Sequence, residues 1–290
     1  MSLKTRTTGI RGVGCLLLQI PDARSEESKS ALQHTRTMTA DSEPASTMLT
    51  FSERGAGKPF VILHPGGVDA RSLSPIVDQF SGRFQVYTPD QRGHGRTPDS
   101  PQEMTFTSMT EDTIAFIEDV VGRAVHLLGY SDGATVALLV AMKRPDLVRN
   151  LVFVAGVYHR DGWLDGVLDG ETPEFMTDRY AEVSPDGRDH YATVVSKLDR
   201  MHSEEPALSL VELSQVACPT LVLVGDDDEM SLEHVISLYR ALPFGELAII
   251  PHASHGVLVE KAQLCGLMIT EFLEPQKPAT FAPLRRKIEV

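Results

Sequence analysis

A doubly wound α/β fold on a mostly parallel sheet is predicted by two features of this sequence: short apolar runs recur along it, and segments of helical periodicity lie between them. The runs are FVIL (60–63), FQVY (84–87), AVHLL (124–128), LVFVA (151–155), LVLV (221–224) and LAII (247–250). They are continuous rather than alternating, as strands covered on both faces of a parallel sheet should be. The segment TSMTEDTIAFIEDVVG (107–122) gathers Met109, Ile114, Phe116, Ile117 and Val121 on one face, and SLEHVISLYRAL (231–242) does so with Leu232, Val235, Leu238 and Leu242. Strands that alternate with such helices build a doubly wound sheet. A further strand at 48–52 predicts a hairpin-like antiparallel edge before the first run.

One interval breaks the rhythm. Residues 156–216 hold no strong strand signal but contain helical pieces such as TPEFMTDRYAEV (172–183) and RDHYATVVSKLDRM (188–201). An insertion after a strand, at the carboxyl edge of a sheet, predicts a short helical lid over a site; a helical decoration with no part in access is the alternative. With 290 residues and 42% apolar content, the chain can bury the core of one large domain. That domain is expected at 48–273. Residues 1–47 read as a disordered leader, because 22–47 is rich in Ser, Thr, Glu and Ala. The apolar patch at 13–18 is at or below the short end of the roughly 7 to 15 residues of a signal core, and no small-residue cleavage site follows. Residues 274–290 read as a loose tail.

The formal charge of −13 would repel nucleic acid and anionic membrane surfaces, whose phosphates are bound by clustered Lys and Arg not seen here, so neither is an expected partner. No run approaches the roughly 18 apolar residues of a membrane span. Cys15, Cys218 and Cys265 match neither a disulfide framework nor a metal site, which suggests reduced thiols and a cytoplasmic location. The expected partner is a small-molecule substrate, the expected assembly a monomer or homodimer.

The chemistry begins in LLGYSDGATVALLV (127–140), where Gly129, Ser131 and Gly133 give G-x-S-x-G between an apolar strand and an apolar helix. Glycines at that spacing let the backbone turn sharply and hold the middle residue out at the tip. A serine hydroxyl needs a base to take its proton and a carboxylate to orient that base. Asp226, Asp227 and Asp228 follow the LVLV run, and His252 and His255 follow the LAII run, so all lie toward the same sheet edge as Ser131. The segment DQRGHGRT (90–97) lacks phosphate-loop spacing and has no Gly-Lys-Ser/Thr after it, and GIRGVG (9–14) has no strand before it.

The order Ser, Asp, His, with HPGG (64–67), DQRGHGRT, GYSDG (129–133), VGDDD (224–228) and PHASHG (251–256), resembles the α/β-hydrolase fold, specifically a small single-domain serine hydrolase, over about 48–273. The resemblance implies Ser131 as nucleophile, His255 rather than His252 as base and Asp228 as acid. Asp227 is the nearest rival for the acid and Asp161 a more distant one. It implies an oxyanion hole made by the N–H of Asp132 and one from the loop after FVIL. Pro65 stands there in the usual glycine slot and has no N–H, so Gly66 is the expected donor, with Gly67 as fallback. His64 is expected to hydrogen-bond within its loop, and Arg92 to hold the shape of DQRGHGRT.

The implied activity is hydrolysis of a small carboxylic ester through an acyl-enzyme, with no metal or organic cofactor. The Ser-Asp dipeptide resembles that of α-amino-ester hydrolases, with Asp132 a candidate for binding a substrate amine; Tyr130 and Trp163 are further candidate substrate contacts. Alternatives that use the same triad are C–C bond hydrolysis, thioester cleavage, lactone opening and lyase or perhydrolase chemistry. A non-catalytic ligand-binding member of the fold is the alternative from another class. An aspartate-nucleophile enzyme is disfavoured by Ser131.

Overall fold

A computed structural model describes residues 47–274, 280 and 281. The expected leader at 1–47 and tail at 274–290 therefore lie almost wholly outside the described residues. The strands are β1 (Phe51–Arg54), β2 (Lys58–Leu63), β3 (Phe84–Pro89), β4 (Val125–Tyr130), β5 (Val148–Val154), β6 (Thr220–Asp227) and β7 (Gly245–Ser254). They form one sheet in the order β1-β3-β2-β4-β5-β6-β7. Every pairing is parallel except β1 with β3.

Each of the six apolar runs falls on one of β2 to β7, with only Ala124 and Ala155 just outside the strand ends, and the residues of β4 are buried throughout. Main-chain pairing satisfies their backbone polar groups and leaves apolar side chains to cover both faces. The first strand is an antiparallel edge, as expected, but it makes no hairpin with β2. Both edges of β2 are occupied, by β3 and β4, so β1 crosses to the open edge of β3.

The covering helices are α1 (Ser74–Phe80), α2 (Phe106–Phe116), α3 (Asp132–Lys143), α4 (Glu174–Ala181), α5 (Tyr191–Glu204), α6 (Leu232–Ala241) and α7 (Ala262–Leu273). Thr105 caps α2, and its side chain and that of Ser108 bond reciprocally to each other's backbone N–H. The sequence of α3 is apolar nearly all round, which fits its burial against the sheet. In the interval 156–216, α4 and α5 fall where the helical pieces were expected.

The strand order reverses direction at β2 and β4: the chain leaves β2 for β3 on one side, and β4 lies on the other. A crevice opens at the carboxyl ends of strands at such a switch point. Leu63 pairs with Gly129 there, so HPGG and the serine turn leave the sheet side by side.

The DQRGHGRT loop is fixed beside this crevice by a buried ion pair. Arg92 Nε and Nη2 donate to the two Asp112 oxygens at 2.6 and 2.7 Å, and the Thr47 N–H adds a third bond to Asp112. Both side chains are almost fully buried. Removing one partner leaves a buried charge uncompensated, at a cost of about 3–5 kcal/mol. Arg92→Met should therefore lower the unfolding free energy by about that much, measured by urea denaturation.

Candidate active site

Ser131 occupies the turn from β4 into α3 with φ 56° and ψ −119°. A non-glycine residue at positive φ is strained by about 1–3 kcal/mol, which the surrounding backbone must offset. Here the Ser131 N–H donates to Val154 O at 2.9 Å, and the Ser131 carbonyl accepts from Ala134 N–H at 2.8 Å. The flanking glycines allow the close approach: a Cβ on Gly129 would lie 2.0 Å from Gly133 O, and one on Gly133 would lie 2.6 Å from Leu63 O.

The ends of β4, β6 and β7 bring three of the candidate residues together. Nε2 of His255 lies 3.1 Å from Oγ of Ser131, and Nδ1 lies 2.7 Å from Oδ1 of Asp228. The Asp228 carboxylate also accepts from the N–H groups of Gly225 and Glu229. Asp227 is exposed, and Asp226 accepts from the Ala253 N–H. Asp161 stands beside His159 at 3.4 Å on an exposed surface, and His252 is exposed on a left-handed backbone kink, φ 55°.

Around Ser131 the loop after β2 is held by two histidines. His64 Nδ1 lies 2.7 Å from Pro65 O, and its Nε2 accepts the Gln91 N–H, so this ring holds the loop as expected. His94 Nδ1 lies 2.8 Å from Arg92 O, and its Nε2 accepts the Gly67 N–H at 3.0 Å. Burial and the neighbouring His64 push the His94 pKa down to about 4, and the neutral ring can keep accepting that bond. The fallback donor, Gly67, is thus engaged by His94. Gly66 lies against Asp132, where an added Cβ would be 2.0 Å from Oδ2.

The geometry can be set beside known proteins. A family model described as "Alpha/beta hydrolase family" matches residues 60–265. The chain belongs to the alpha/beta hydrolase family. Similar relatives of this hydrolase include the (E)-2-((N-methylformamido)methylene)succinate hydrolase of Acinetobacter baylyi, 25% identical over 77% of this chain and 93% of that one. The pimeloyl-[acyl-carrier protein] methyl ester esterase of Nitrosomonas europaea is 25% identical over 69% and 90%. Human serine hydrolase BPHL is 25% identical over 78% and 83%. Among solved structures, a serine hydrolase involved in carbazole degradation superimposes with a TM-score of 0.66 at 19% identity, over 78% of this chain and 94% of that one. At that identity the likeness speaks for the fold.

In this hydrolase Ser131 is 1% exposed and His255 4%, so charges at the site sit in a low-dielectric setting. Burial by itself lowers the His255 pKa, but the Asp228 and Glu229 carboxylates, the Asp228 hydrogen bond and Asp132 outweigh it and raise it from 6.5 to about 9. Asp132 is buried directly after Ser131, and His202 Nε2, from α5, lies 2.9 and 3.0 Å from its two oxygens. Burial works against its charge, yet His202, His94 and His255 together hold its carboxyl below the ordinary range.

The buried hydroxyl of the candidate Tyr130 donates to the backbone carbonyl of His255, a contact that holds the main chain at that position. Trp163, half-buried, has its ring centroid 6.1 Å from that of His255 and 6.3 Å from that of His202. Two residues at the site were not singled out from sequence. His202 closes an amphipathic helix and looks like any helix-terminal histidine, and Glu229 is hidden at the end of a run of acids. Gly66→Ala should press on the Asp132 carboxylate and lower stability by about 1–3 kcal/mol, the usual cost of overpacking, seen as a lower urea midpoint.

Proposed function

We propose that the protein is a serine hydrolase that cleaves a small carboxylic ester through an acyl-enzyme on Ser131. The observation that carries this reading is the continuous relay from Asp228 through His255 to Ser131, at 2.7 and 3.1 Å, on a strained turn. As Ser131 Oγ attacks the carbonyl carbon, its proton passes to Nε2 of His255, and Asp228 stabilises the imidazolium. The oxyanion is received by the N–H groups of Asp132 and Gly66. Collapse of the tetrahedral intermediate breaks the acyl–oxygen bond, and the departing alkoxide takes the proton from Nε2. Water, deprotonated by the same nitrogen, then attacks the acyl-enzyme and releases the acid and free Ser131.

A methyl ester esterase among the relatives is in keeping with ester cleavage by this relay. Both Asp132 oxygens meet His202, which leaves the α-amino-ester preference without an open carboxylate at that position. Asp132 is better assigned to holding α5 against the serine turn. Tyr191, also on α5, supports the same placement by donating to the Gly67 carbonyl at 2.7 Å. With Ser131 and His255 nearly sealed, substrate entry calls for displacement of the 156–216 segment, which is the part we assign to it as a lid.

Hydrolysis of p-nitrophenyl butyrate tests this reading. Ser131→Ala should lower kcat by at least about a thousandfold, whereas equal rates in the two proteins would overturn it. The pH profile carries a second signature. Only unprotonated His255 can act as base, and its proton is held up to about 9. For free enzyme, kcat/KM should therefore rise with pH on the alkaline side of 6.5, with little activity gained between pH 5 and 6.5.

A further inference from the structure

One carboxylate at this site has a buried oxygen that accepts no hydrogen bond among the described residues. Glu229, directly after Asp228, places Oε2 3.8 Å from Nε2 of His255, too far for a hydrogen bond. That oxygen is buried and accepts no hydrogen bond among the described residues, and the side chain is 17% exposed. The other acids nearby are engaged: Asp228 by His255 and two backbone N–H groups, Asp132 by His202. Beside Glu229, the Leu164 N–H donates to its carbonyl at 2.9 Å, and Trp163 pairs with Met230. The Trp163 indole N–H is likewise buried and unpartnered. An acceptor and a donor without hydrogen bonds on neighbouring stretches, both near His255, need an explanation, because native folds rarely leave such groups unsatisfied.

The position of Glu229 supplies one. Nε2 of His255 returns the proton to the leaving group, so the departing oxygen sits within hydrogen-bond reach of Nε2. A donor a few bonds further along that group comes within reach of Oε2 of Glu229. We propose that Glu229 is a specificity-determining residue that accepts a hydrogen bond from a protonated amine on the leaving group, so that the preferred substrates are esters of amino alcohols. This assignment rests on the ester-hydrolase reading above. A protonated amine suits the site better than a neutral N–H because a charge-assisted bond is about twice as strong, and the protein's charge of −13 raises the local concentration of cations. The amine keeps its proton throughout: the proton from Ser131 goes by way of His255 to the alkoxide oxygen, and the alcohol leaves with its ammonium intact.

The test compares 2-(dimethylamino)ethyl butyrate with its carbon isostere 3-methylbutyl butyrate in a pH-stat at pH 7, each normalised to its hydroxide-catalysed rate. Wild-type kcat/KM should favour the amino ester by about ten- to a hundredfold. In Glu229→Gln that ratio should fall to near one. Any change that glutamine makes to His255 or to folding affects both esters and cancels in the ratio. Glu229→Asp, which keeps the charge but withdraws it by one methylene, should give an intermediate ratio and serves if the glutamine variant does not fold. Equal normalised rates in the wild type, or a preference that survives in Glu229→Gln, would overturn the assignment and leave the ester-hydrolase reading intact. Hydrolysis of neither ester by the wild type would overturn that reading, and this assignment with it.

Discussion

The hydrogen bond between His255 and Asp228 is the contact on which the rest of the site depends. It joins the end of β7 to the end of β6, and Nε2 of the same ring reaches the turn after β4. Three segments remote in sequence are thus registered by one imidazole. The parallel sheet makes this possible, since it delivers the carboxyl ends of β4, β6 and β7 to a single edge. Tyr130 strengthens the arrangement by bonding the His255 carbonyl, so the strand that leads into Ser131 also holds His255.

Burial makes charge compensation the second theme. A buried charge without a partner costs several kcal/mol, and the charged groups around the crevice have partners: Arg92 has Asp112, Asp132 has His202, and His255 has Asp228 and, at 3.8 Å, Glu229. These pairs also tie elements together. Asp132 connects the Ser131 turn to α5, and Asp112 connects α2 to the DQRGHGRT loop. Electrostatic satisfaction and loop placement are therefore parts of one network, with His64 and His94 fixing the loop that carries Gly66. Glu229 differs in that its Oε2, 3.8 Å from Nε2 of His255, accepts no hydrogen bond among the described residues.

Much of this was legible in the sequence. Uninterrupted apolar runs reveal strands covered on both faces, and every run from FVIL to LAII falls on a strand. The G-x-S-x-G spacing marks the turn because only small residues let Gly129, Gly133 and Leu63 approach so closely. What stayed hidden was pairing across distance. Nothing local to His202 announces Asp132, seventy positions away. Nor does periodicity reveal that β1 pairs with β3 instead of β2, since that depends on which sheet edge is already taken. Among three consecutive acids, backbone direction at the end of β6 separates Asp228 from Asp227, and alternation alone cannot supply it.

The glycines of the serine turn have a consequence for how this sequence can drift. Gly129 is barred from gaining a side chain by the main chain of Gly133, and Gly133 is barred by the carbonyls of Leu63 and His64. Both obstacles are backbone, so no compensating change of a neighbouring side chain removes them. Neither position offers a first step toward a different spacing, and the serine between them cannot slide along the chain. Diversification in such a molecule is pushed outward, to residues such as Trp163, His202 and Glu229, where a substitution changes what the site meets without moving where the site is.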